Sequence, residues 1–398
     1  MKLAPPVPST SLRGNVMLSS LLHAGLQSVG LPAPAWLLRG WRRSPPAARS
    51  RHDPTTQTRI LSTFDNWSDI PGWGERVESI RLTDATSGGH SRLARVFREL
   101  YNGVALWWLS RSYQAVVTGS SPHVAVFGLL ERLRLGAKRR HLMLECLWTY
   151  PSGRLRRIAK TLQYRAALMP RSRAIVYARR ERERFSVYFG IPVQRFVFIP
   201  YHTTLRHFAP SEHGPPLGTP YVFAGGDTQR DYRGLCEAVA GLAIPVVIAV
   251  RDRGLLEGIQ IPPNVQVITT DHTEFLRWML HAYINVVPLE RGTLRSAGQQ
   301  TFLNAMALGT VVVVTDVEGG RDYIENWVDG VLVQGGNPAE LRAVLLRLLA
   351  SPELVARIRA NAARLGPGSR TERILGLLLD YLLSDRFGDS SCVEFLGT

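Results

Sequence analysis

The sequence predicts an α/β protein with two doubly wound, Rossmann-like domains. From residue 59 onward, short apolar runs rich in Val, Ile and Phe alternate with segments of helical period. The alternation stops once, over residues 207–220, where six Pro and Gly residues occur. Alternating strands and helices favour βαβ units and parallel sheets. A chain of 398 residues is long enough for two such domains, which we expect over residues 59–206 and 221–385, joined by a linker at 207–220.

The elements of the first domain follow one another in a regular order. We expect strands, each a short apolar run, at residues 59–62, 77–82, 115–118, 141–147, 174–178 and 196–200. We expect helices, whose apolar residues recur every three or four positions, at 93–109, 124–135, 154–169 and 180–189. This order predicts a parallel sheet covered by helices.

The second domain repeats the alternation. Its strands are expected at residues 221–224, 245–249, 265–269, 284–288, 311–315 and 330–333, and its helices at 234–240, 272–280, 299–308, 339–349 and 352–365. Gly309 stands directly after one of these helices, where a left-handed residue commonly ends a helix. Sheets of this kind bind ligands beyond the carboxyl ends of their strands, so we expect the two domains to face each other across a ligand-binding cleft.

Positive charge is concentrated in the first half of the chain. Lys and Arg number 48 against 32 Asp and Glu, a net charge of +16. Residues 1–200 carry 31 basic and 11 acidic side chains, a net charge of +20, whereas residues 201–398 have a net charge of −4. A basic surface favours nucleic acid, anionic lipid or phosphorylated substrates. No helix-turn-helix, zinc-ligand spacing or aromatic RNA-binding motif accompanies the charge, so a nucleic-acid-binding protein is the weaker alternative.

The two ends of the chain lie outside the predicted domains. Residues 1–58, rich in Pro, Ser and Arg, are expected to form a poorly ordered leader, with a membrane-skimming helix as the alternative, and residues 386–398 a tail. The sequence contains no uninterrupted apolar stretch of about 20 residues, so it predicts no membrane-spanning helix. The cysteines, Cys146, Cys236 and Cys392, form no close pair and no metal-ligand spacing. This indicates a reducing, cytoplasmic compartment and no metal site.

A glycine pair follows the strand at 221–224. Gly225 and Gly226 lead into a basic loop with Arg230 and Arg233, close to the start of a helix. Glycine lets the backbone approach a diphosphate, while the helix start and the arginines supply donors and positive charge. We therefore expect a phosphate-binding loop. A tight strand–helix turn with solvated arginines is the alternative.

The strongest pattern lies between the strands at 284–288 and 311–315. A loop ends in Ser296-Ala297-Gly298, and a helix begins at Gln299. The first amides of a helix lack partners and lie at the positive end of its dipole, which favours phosphate groups. Gly298, Gln299, Gln300 and Thr301 are therefore expected to bind a phosphorylated ligand, with Arg295 and Ser296 directly before them and Asn304 two helical turns beyond Ser296 on the same side.

These segments, together with Pro200, Phe208 and Pro210, resemble the C-terminal domain of GT-B-fold glycosyltransferases, in particular the retaining family 4 group (glycosyl transferases group 1). The resemblance covers residues 195–365, and the first half is similar only in its order of elements. It implies retaining transfer of a sugar from a nucleotide-diphosphate sugar to a glycan or lipid-linked acceptor, in polysaccharide or glycolipid synthesis. It also implies that Arg230 and Arg233 stabilise the leaving diphosphate without a metal or cofactor, and that Asp271 lies near the nucleobase.

The sequence departs from the family pattern at two acidic positions. Ser296 stands where the family has a sugar-contacting Glu, and Asn304 where it has a ribose-binding Glu. Thr204 likewise replaces an Asp of the preceding segment. Asn still exchanges hydrogen bonds with ribose hydroxyls, but without the strength of a charged acceptor. A catalytically degenerate scaffold with this fold is therefore an alternative, whereas a dehydrogenase is disfavoured because Gly225-Gly226 lacks the three-glycine spacing.

The first domain is expected to bind the acceptor. A polar loop with Asp65, Asn66 and Trp67 follows the first strand, and Glu145 lies near the end of another. His123 follows a third strand and is the candidate catalytic residue of this domain, where it would orient a sugar. Capping of the following helix is the alternative role for His123.

The helix at 154–169 combines basic and apolar residues. Its basic side chains are Arg154, Arg156, Arg157, Lys160 and Arg165, interleaved with leucine, isoleucine and tyrosine. Such a helix suits the surface of an anionic bilayer. This predicts a peripheral position on the inner face of the plasma membrane, close to a lipid-linked acceptor. A solvated face of a helix that packs on the sheet is the alternative.

Overall fold

The computed structural model describes residues 60–65, 67–82, 92–133, 139–144, 153–292, 295–317, 319–365, 371–385 and 387–388. These residues form two six-stranded parallel sheets with helices between the strands, which confirms the predicted α/β class with two Rossmann-like domains. The chain divides into two compact units, Met1–Ala174 and Ile175–Thr398. The predicted leader lies outside the described residues, as does most of the predicted tail.

The first sheet has the strand order β2-β1-β3-β4-β5-β6. Its strands are β1 (Ile60–Ser62), β2 (Val77–Ser79), β3 (Ala115–Thr118), β4 (Arg140–Met143), β5 (Ser172–Val176) and β6 (Phe196–Phe198). Its helices are α1 (Trp73–Arg76), α2 (Arg92–Leu109), α3 (His123–Leu133), α4 (Arg154–Ala167) and α5 (Arg179–Phe189). The boundary between the two compact units falls inside β5, earlier in the chain than the linker expected at 207–220.

The second sheet has the strand order β12-β11-β10-β7-β8-β9. Its strands are β7 (Val222–Gly225), β8 (Val246–Ala249), β9 (Val265–Ile268), β10 (Ile284–Val287), β11 (Val311–Asp316) and β12 (Val331–Gln334). Its helices are α6 (Tyr232–Val239), α7 (His272–His281), α8 (Gln299–Ala307), α9 (Pro338–Leu349), α10 (Pro352–Leu365) and α11 (Thr371–Leu383). Parallel pairing of Ile284 with Val222 places β10 beside β7 at the centre of this sheet.

The strands β7 and β8 of the second sheet are buried on both faces. Val222 and Ala224 of β7 belong to one apolar cluster with residues of α6 and α9, whereas Phe223 belongs to another with residues of α7 and α8. Burial on both faces explains why these two strands are uninterrupted apolar runs. Helix α11, whose Ile374 and Leu378 are buried, lies beyond the last helix that the sequence pattern predicted. Among the described residues, no helix is both long and apolar enough to cross a membrane.

A buried polar row crosses three strands of the first sheet. His141 of β4 lies between Thr118 and Ser172, with 2.9 Å from its Nε2 to Thr118 Oγ1 and 2.9 Å from its Nδ1 to Ser172 Oγ. Thr118 Oγ1 donates its own proton to the Gly119 carbonyl. His141 Nε2 therefore carries the ring proton, and Nδ1 accepts from Ser172. Burial lowers the pKa of His141 to about 3, so the ring is neutral at neutral pH.

Candidate functional site

The loops that follow β7 and β10 meet at the centre of the second sheet. From these neighbouring strands the sheet extends to β8 and β9 on one side and to β11 and β12 on the other. Asp231 N donates to Pro288 O at 3.0 Å, and Glu290 N donates to Gln229 O at 3.1 Å. Doubly wound sheets bind ligands at such a reversal of strand order, beyond the carboxyl ends of the strands. The candidate site therefore lies at the ends of β7 and β10.

Helix α8 begins in this site without a side-chain cap. Its N-cap residue, Gly298, has a φ of 84°, and a Cβ there would lie 2.9 Å from Val287 Cγ1, so the position requires glycine. Phe302 N donates to Gly298 O, so the amides of residues 299–301 precede the first α-helical hydrogen bond. No acidic residue lies in the first turn. These backbone donors, at the positive end of the helix, suit an anion.

Helices α6, α7 and α9 begin differently. They are capped by Asp231, Asp271 and Asn337, which accept hydrogen bonds from the backbone N of Gly234, Glu274 and Glu340. Asp271, predicted to lie near the nucleobase, thus uses its Oδ1 as a helix cap. Caps of this kind satisfy a backbone donor that would otherwise lack a partner. Unlike these three helices, α8 has no side chain that accepts a hydrogen bond from its first amides, so an acceptor atom of a ligand could bind there.

Gln299 carries a further unused donor at the start of α8. Its side chain is only 6% exposed, yet its Nε2 makes no hydrogen bond. Leaving a buried polar group without a partner costs about 1–3 kcal/mol, and native proteins rarely do so without a functional reason. An acceptor atom of a ligand at the start of α8 would satisfy this amide.

Arg230 joins the β7 loop to α8. Its Nε donates to Gly225 O at 3.1 Å, its Nη1 to Thr228 O at 2.6 Å and its Nη2 to Thr301 Oγ1 at 3.1 Å. A Cβ on Gly226 would lie 2.7 Å from Arg230 Nη2, so the lack of a side chain at this position makes room for the guanidinium. Because the guanidinium has five N–H donors, these three bonds fix its plane and still leave donors. A fixed positive charge thus lies beside the first turn of α8.

Of the two arginines predicted to stabilise a diphosphate, the structure joins only Arg230 to α8. Arg233 is exposed, and its Nη2 donates to Gly258 O at 3.0 Å. Arg295, which precedes the buried Ser296, is half-buried. Among the described residues, no three His, Cys, Asp or Glu side chains lie close enough together to hold a metal ion.

Asn304 and Thr204 bond to each other. Asn304 Oδ1 accepts from Thr204 N, and Asn304 Nδ2 donates to Thr204 Oγ1, both at 2.9 Å. Gln300 Nε2 also donates to Thr204 Oγ1, at 3.1 Å, and His272 Nε2 lies 3.4 Å from the same oxygen. Thr204 and Asn304, two of the three positions where the sequence lacks an acidic residue of the family, therefore form one neutral pair. The amide of Asn304, predicted to bind ribose, is occupied by Thr204, whereas Gln300 is exposed.

Ser296 is also engaged by the protein. Its backbone N and its Oγ both donate to Glu181 Oε1, at 2.5 and 2.8 Å, and both residues are almost fully buried. Burial raises the pKa of Glu181 above its usual value, although hydrogen bonds from Ser296, Tyr177 and Ala178 oppose the rise. Glu181 was not among the predicted site residues, because no local pattern links two positions 115 residues apart.

The described members of the predicted acceptor set, Asp65 and Trp67, follow β1 of the first sheet. Asp65 Oδ2 accepts from Arg81 Nε at 2.6 Å. Trp67 packs edge-on against Trp73, with 5.2 Å between the ring centroids. Two other predicted residues, Asn66 and Glu145, lie outside the described residues. The described members of this set are thus held by neighbours within the same unit.

His123 is the first residue of α3. Its backbone N donates to Glu99 Oε2, and its Nδ1 lies at the same distance from that oxygen, 3.1 Å. Burial would raise the pKa of Glu99, but the hydrogen bonds and charge of His123 hold it below its usual value. The Glu99 carboxylate therefore already lies at the positive end of α3, where it stabilises the helix. Glu99, which lies on α2, was not among the predicted site residues.

Helix α4 exposes basic and apolar side chains together. Leu155, Ile158 and Leu162 are 82%, 47% and 60% exposed. Of the predicted basic residues, Lys160 is half-buried and the others are exposed: Arg154, Arg156, Arg157 and Arg165. Gln163 Nε2 of the same helix donates to Ser120 O at 2.8 Å. The helix is therefore tied to the loop that precedes His123.

The second sheet contains a recognisable family segment. A family model described as "Glycosyl transferases group 1" matches residues 261–365. This range contains α7, the uncapped start of α8, and β11. This part of the chain is a glycosyl transferases group 1 domain. The group 1 domain thus includes Gln299 and Thr301, while their partner Arg230 lies ahead of the matched range.

Individual proteins show the same similarity. A D-inositol 3-phosphate glycosyltransferase from Thermobispora bispora is 29% identical over 126 residues, which cover 31% of this chain and 27% of that protein. The matched segment thus spans less than a third of the length of the curated relatives. A glycosyltransferase from Rickettsia africae has a TM-score of 0.61 at 13% identity, over 96% of this chain and 97% of its own. Anabaena HepE, solved in complex with UDP, has a TM-score of 0.57 at 11% identity, over 82% and 99%. Both structures support the GT-B fold.

Proposed function

We propose that this chain is a glycosyltransferase that binds the diphosphate of a nucleotide-sugar donor at the start of α8. The observation that carries the proposal is the start of α8, which has no side-chain cap, contains the unpartnered buried amide of Gln299 and bonds to the Arg230 guanidinium through Thr301. Backbone amides, a helix dipole and an arginine are the groups with which proteins bind phosphates. The group 1 domain over residues 261–365 supports the same assignment.

The proposed reaction requires the site to stabilise a leaving diphosphate. The bond from the sugar's anomeric carbon to the diphosphate oxygen breaks, and the acceptor hydroxyl forms the new bond and passes its proton to that oxygen. Negative charge grows on the diphosphate as the bond breaks, so fixed positive groups favour the transition state over the bound donor. Arg230 is fixed in advance by Gly225, Thr228 and Thr301. In this proposal transfer proceeds with retention, and the positive charge comes from Arg230 and α8 rather than from a metal ion.

UDP sugars are the first donors to test, because Anabaena HepE, which shares the fold, was solved with UDP. We place the donor's ribose beside Gln300, which is exposed and bonds to Thr204 through its Nε2 alone, because both polar atoms of the Asn304 side chain bond to Thr204. A neutral amide gives a weaker hydrogen bond to a ribose hydroxyl than a carboxylate does. The proposed site therefore relies more on the diphosphate than on the ribose for its affinity.

For the acceptor we propose a glycan or lipid-linked molecule at the cytoplasmic face of an anionic membrane. On α4, the exposed Leu155, Ile158 and Leu162 alternate with exposed arginines. Such a helix buries its apolar side chains in the bilayer interface while its basic groups meet lipid phosphates. Because Gln163 binds the Ser120 carbonyl, a bilayer at α4 would lie near the loop that precedes His123.

A thermal-shift screen against UDP-, GDP- and other nucleotide sugars tests the donor assignment. We expect one of them to stabilise the protein, by about 2.7 kcal/mol at a concentration 100-fold above its Kd. Arg230→Ala should abolish the shift. The control Arg253→Ala, which removes an exposed arginine bonded to the Val267 carbonyl, should retain it. A wild-type protein that no nucleotide sugar stabilises would overturn the proposal.

A catalytically inactive scaffold is the second candidate. Ser296 and Asn304 replace two acidic residues of the family, and both are engaged by protein groups, Glu181 and Thr204. A scaffold would bind the nucleotide sugar without cleaving it. Release of nucleoside diphosphate from a labelled donor, above the rate measured with Arg230→Ala, would support the enzyme. Binding without such release would support the scaffold.

A further inference from the structure

We propose that Glu181 is a positioning residue for the donor site: through Ser296, its carboxylate holds the loop from which α8 begins. This inference rests on the proposed donor-binding function of α8. Both residues belong to the compact unit Ile175–Thr398. Glu181 lies on α5, outside every segment that the sequence patterns marked as functional.

One oxygen of Glu181 caps the helix that carries it. Glu181 Oε2 accepts from Tyr177 N at 2.9 Å and from Ala178 N at 3.1 Å. Ala178, the N-cap residue of α5, has no polar side chain, so the carboxylate three positions later satisfies the backbone instead. The carboxylate is thereby fixed relative to α5.

The other oxygen of Glu181 holds the loop before α8. Glu181 Oε1 accepts from Ser296 N at 2.5 Å and from Ser296 Oγ at 2.8 Å. Ser296 stands two residues before Gly298, whose left-handed φ starts the helix. Hydrogen bonds to a charged acceptor are roughly twice as strong as neutral ones. One buried carboxylate therefore links the start of α5 to the start of α8.

Packing around Gly319 brings the same segments into close contact. Gly319 has a φ of 91°, and a Cβ there would lie 2.9 Å from Ala178 Cβ, 3.1 Å from Ser296 Cβ and 3.3 Å from Gln299 Nε2. The loop after β11 thus fits against α5 and α8 because position 319 has no side chain. The unpartnered amide of Gln299 lies at this junction. A shift of the Ser296 loop would therefore move the group proposed to contact the donor.

Glu181 acts through Ser296 rather than on the donor. Its two oxygens accept four hydrogen bonds from the protein, and the residue is 2% exposed. A carboxylate facing the ligand would repel a diphosphate. A buried carboxylate whose oxygens bond to four protein donors instead fixes the positions of those donors. Binding sites lose affinity steeply when their donors are displaced by a fraction of an ångström. Loss of Glu181 should consequently weaken donor binding while the fold persists.

Substitution of Glu181 by Gln tests the inference. The side-chain amide of Gln has an NH2 donor in place of one carboxylate oxygen. In either orientation this donor points at other donors, either the two α5 amides or the two Ser296 groups, so two hydrogen bonds are lost. We expect Glu181→Gln to raise the donor KM about tenfold with little change in kcat. This result is typical of a variant that binds the ground state and the transition state more weakly by the same amount. Ser296→Ala removes one of the two loop bonds and should raise the donor KM about threefold.

Two further measurements separate positioning from a general loss of stability. The control Glu340→Gln alters a carboxylate that accepts from the backbone N of Gln334 near the start of α9, and it should leave the donor KM unchanged. Hydrogen exchange of the amides over residues 297–302 should be about tenfold faster in Glu181→Gln than in Glu340→Gln. The double variant Glu181→Gln/Ser296→Ala should bind the donor no more weakly than Glu181→Gln alone, because both changes break one link.

The outcomes are distinguishable from those of the proposed function. A wild-type protein that binds no nucleotide sugar overturns the donor site and this inference together. A wild-type protein that binds a nucleotide sugar, with Glu181→Gln and Glu340→Gln equal in donor KM, overturns the inference alone. Should Glu181→Gln fail to fold, Ser296→Ala decides: a raised donor KM together with faster exchange over residues 297–302 supports the link, and an unchanged KM contradicts it.

Discussion

The N-termini of α3 and α8 occupy equivalent places in the two sheets, but a carboxylate of the protein bonds to the first and not to the second. Each helix follows a strand that adjoins the first strand of its sheet, β3 beside β1 and β10 beside β7. At α3 the Glu99 carboxylate accepts from the backbone N of His123. At α8 the N-cap Gly298 makes no side-chain bond, and Gln299 Nε2 has no partner. The first helix start is closed by the protein's own anion, whereas the second is open to an anionic ligand.

Under the proposed function, this difference decides which sheet binds the donor. The same fold position would stabilise a helix in the first sheet and bind the diphosphate in the second. Shared topology alone would place a phosphate site in both sheets. The distinction comes from one residue near each helix start: the anion Glu99 beside α3, and the cation Arg230 beside α8. The following predictions test this contrast in decreasing order of expected effect.

The largest effect is expected at Arg230. Arg230→Ala should weaken nucleotide-sugar binding about 100-fold, or by about 2.7 kcal/mol, because it removes the fixed charge beside α8. Arg233→Ala should change the affinity less than about threefold, because Arg233 is exposed and bonds to the Gly258 carbonyl. Isothermal titration measures both. Equal losses in the two variants would mean that contact with Thr301 does not mark the diphosphate site.

The second prediction concerns the buried row around His141 in the first sheet. Its folded pKa of about 3 lies below the ordinary value of 6.5, so the unfolded chain binds the proton more readily. Stability is therefore lost as the pH falls below 6.5, by about 2 kcal/mol at pH 5. Urea unfolding at pH 7.5 and pH 5 should show this loss in the wild type but a smaller one in His141→Leu. A variant that keeps the whole loss would place the proton uptake elsewhere.

A smaller effect is expected at the closed helix start. Glu99→Ala should lower the free energy of unfolding by about 1 kcal/mol, because the first amide of α3 loses its partner. Nucleotide-sugar affinity should stay within about twofold of the wild type. Chemical denaturation and titration calorimetry give the two quantities. A variant with unchanged stability and weakened donor binding would reverse the roles assigned to α3 and α8.

The smallest effect is expected at the exposed apolar residues of α4. Leu155→Ala should weaken binding to vesicles of anionic phospholipid about fivefold, or by about 1 kcal/mol. Val187→Ala is the matched control, because Val187 is equally exposed, at 83% against 82%, but lies on α5. Cosedimentation at fixed salt compares the two. If the control loses as much, α4 has no special role at a membrane.

The sequence predicted the second sheet closely because its strands are short runs rich in Val, Ile and other apolar residues, of which β7 and β8 contain no polar side chain. The observed β7 and β8 begin one residue after the expected positions, and β10 ends one residue earlier than expected. Helix α11 was missed although its apolar residues recur at helical spacing, because the repeating strand–helix pattern had already ended at residue 365. Local periodicity thus predicts elements inside a repeating pattern better than an element that follows it.

The site was predictable only as far as local motifs reach. The glycine pair and the start of α8 are visible in the sequence, and the structure brings them together through Arg230 and Thr301. The Asn304–Thr204 pair and the Glu181–Ser296 contact join positions 100 and 115 residues apart. Hydrogen-bond partners that distant leave no periodic signal in one sequence. One hint of the contact between Thr204 and Asn304 was present in the sequence: both stand where the family has an acidic residue.

A crystal structure with the nucleotide sugar that gives the largest thermal shift tests the central claim most directly. The account predicts that diphosphate oxygens lie within ~3.2 Å of backbone amides of residues 299–301, with Gln299 Nε2 bonded to the ligand. It also predicts that Glu99 still holds the start of α3. A diphosphate bound at α3 or along the arginines of α4, with the first amides of α8 facing solvent, would contradict the account.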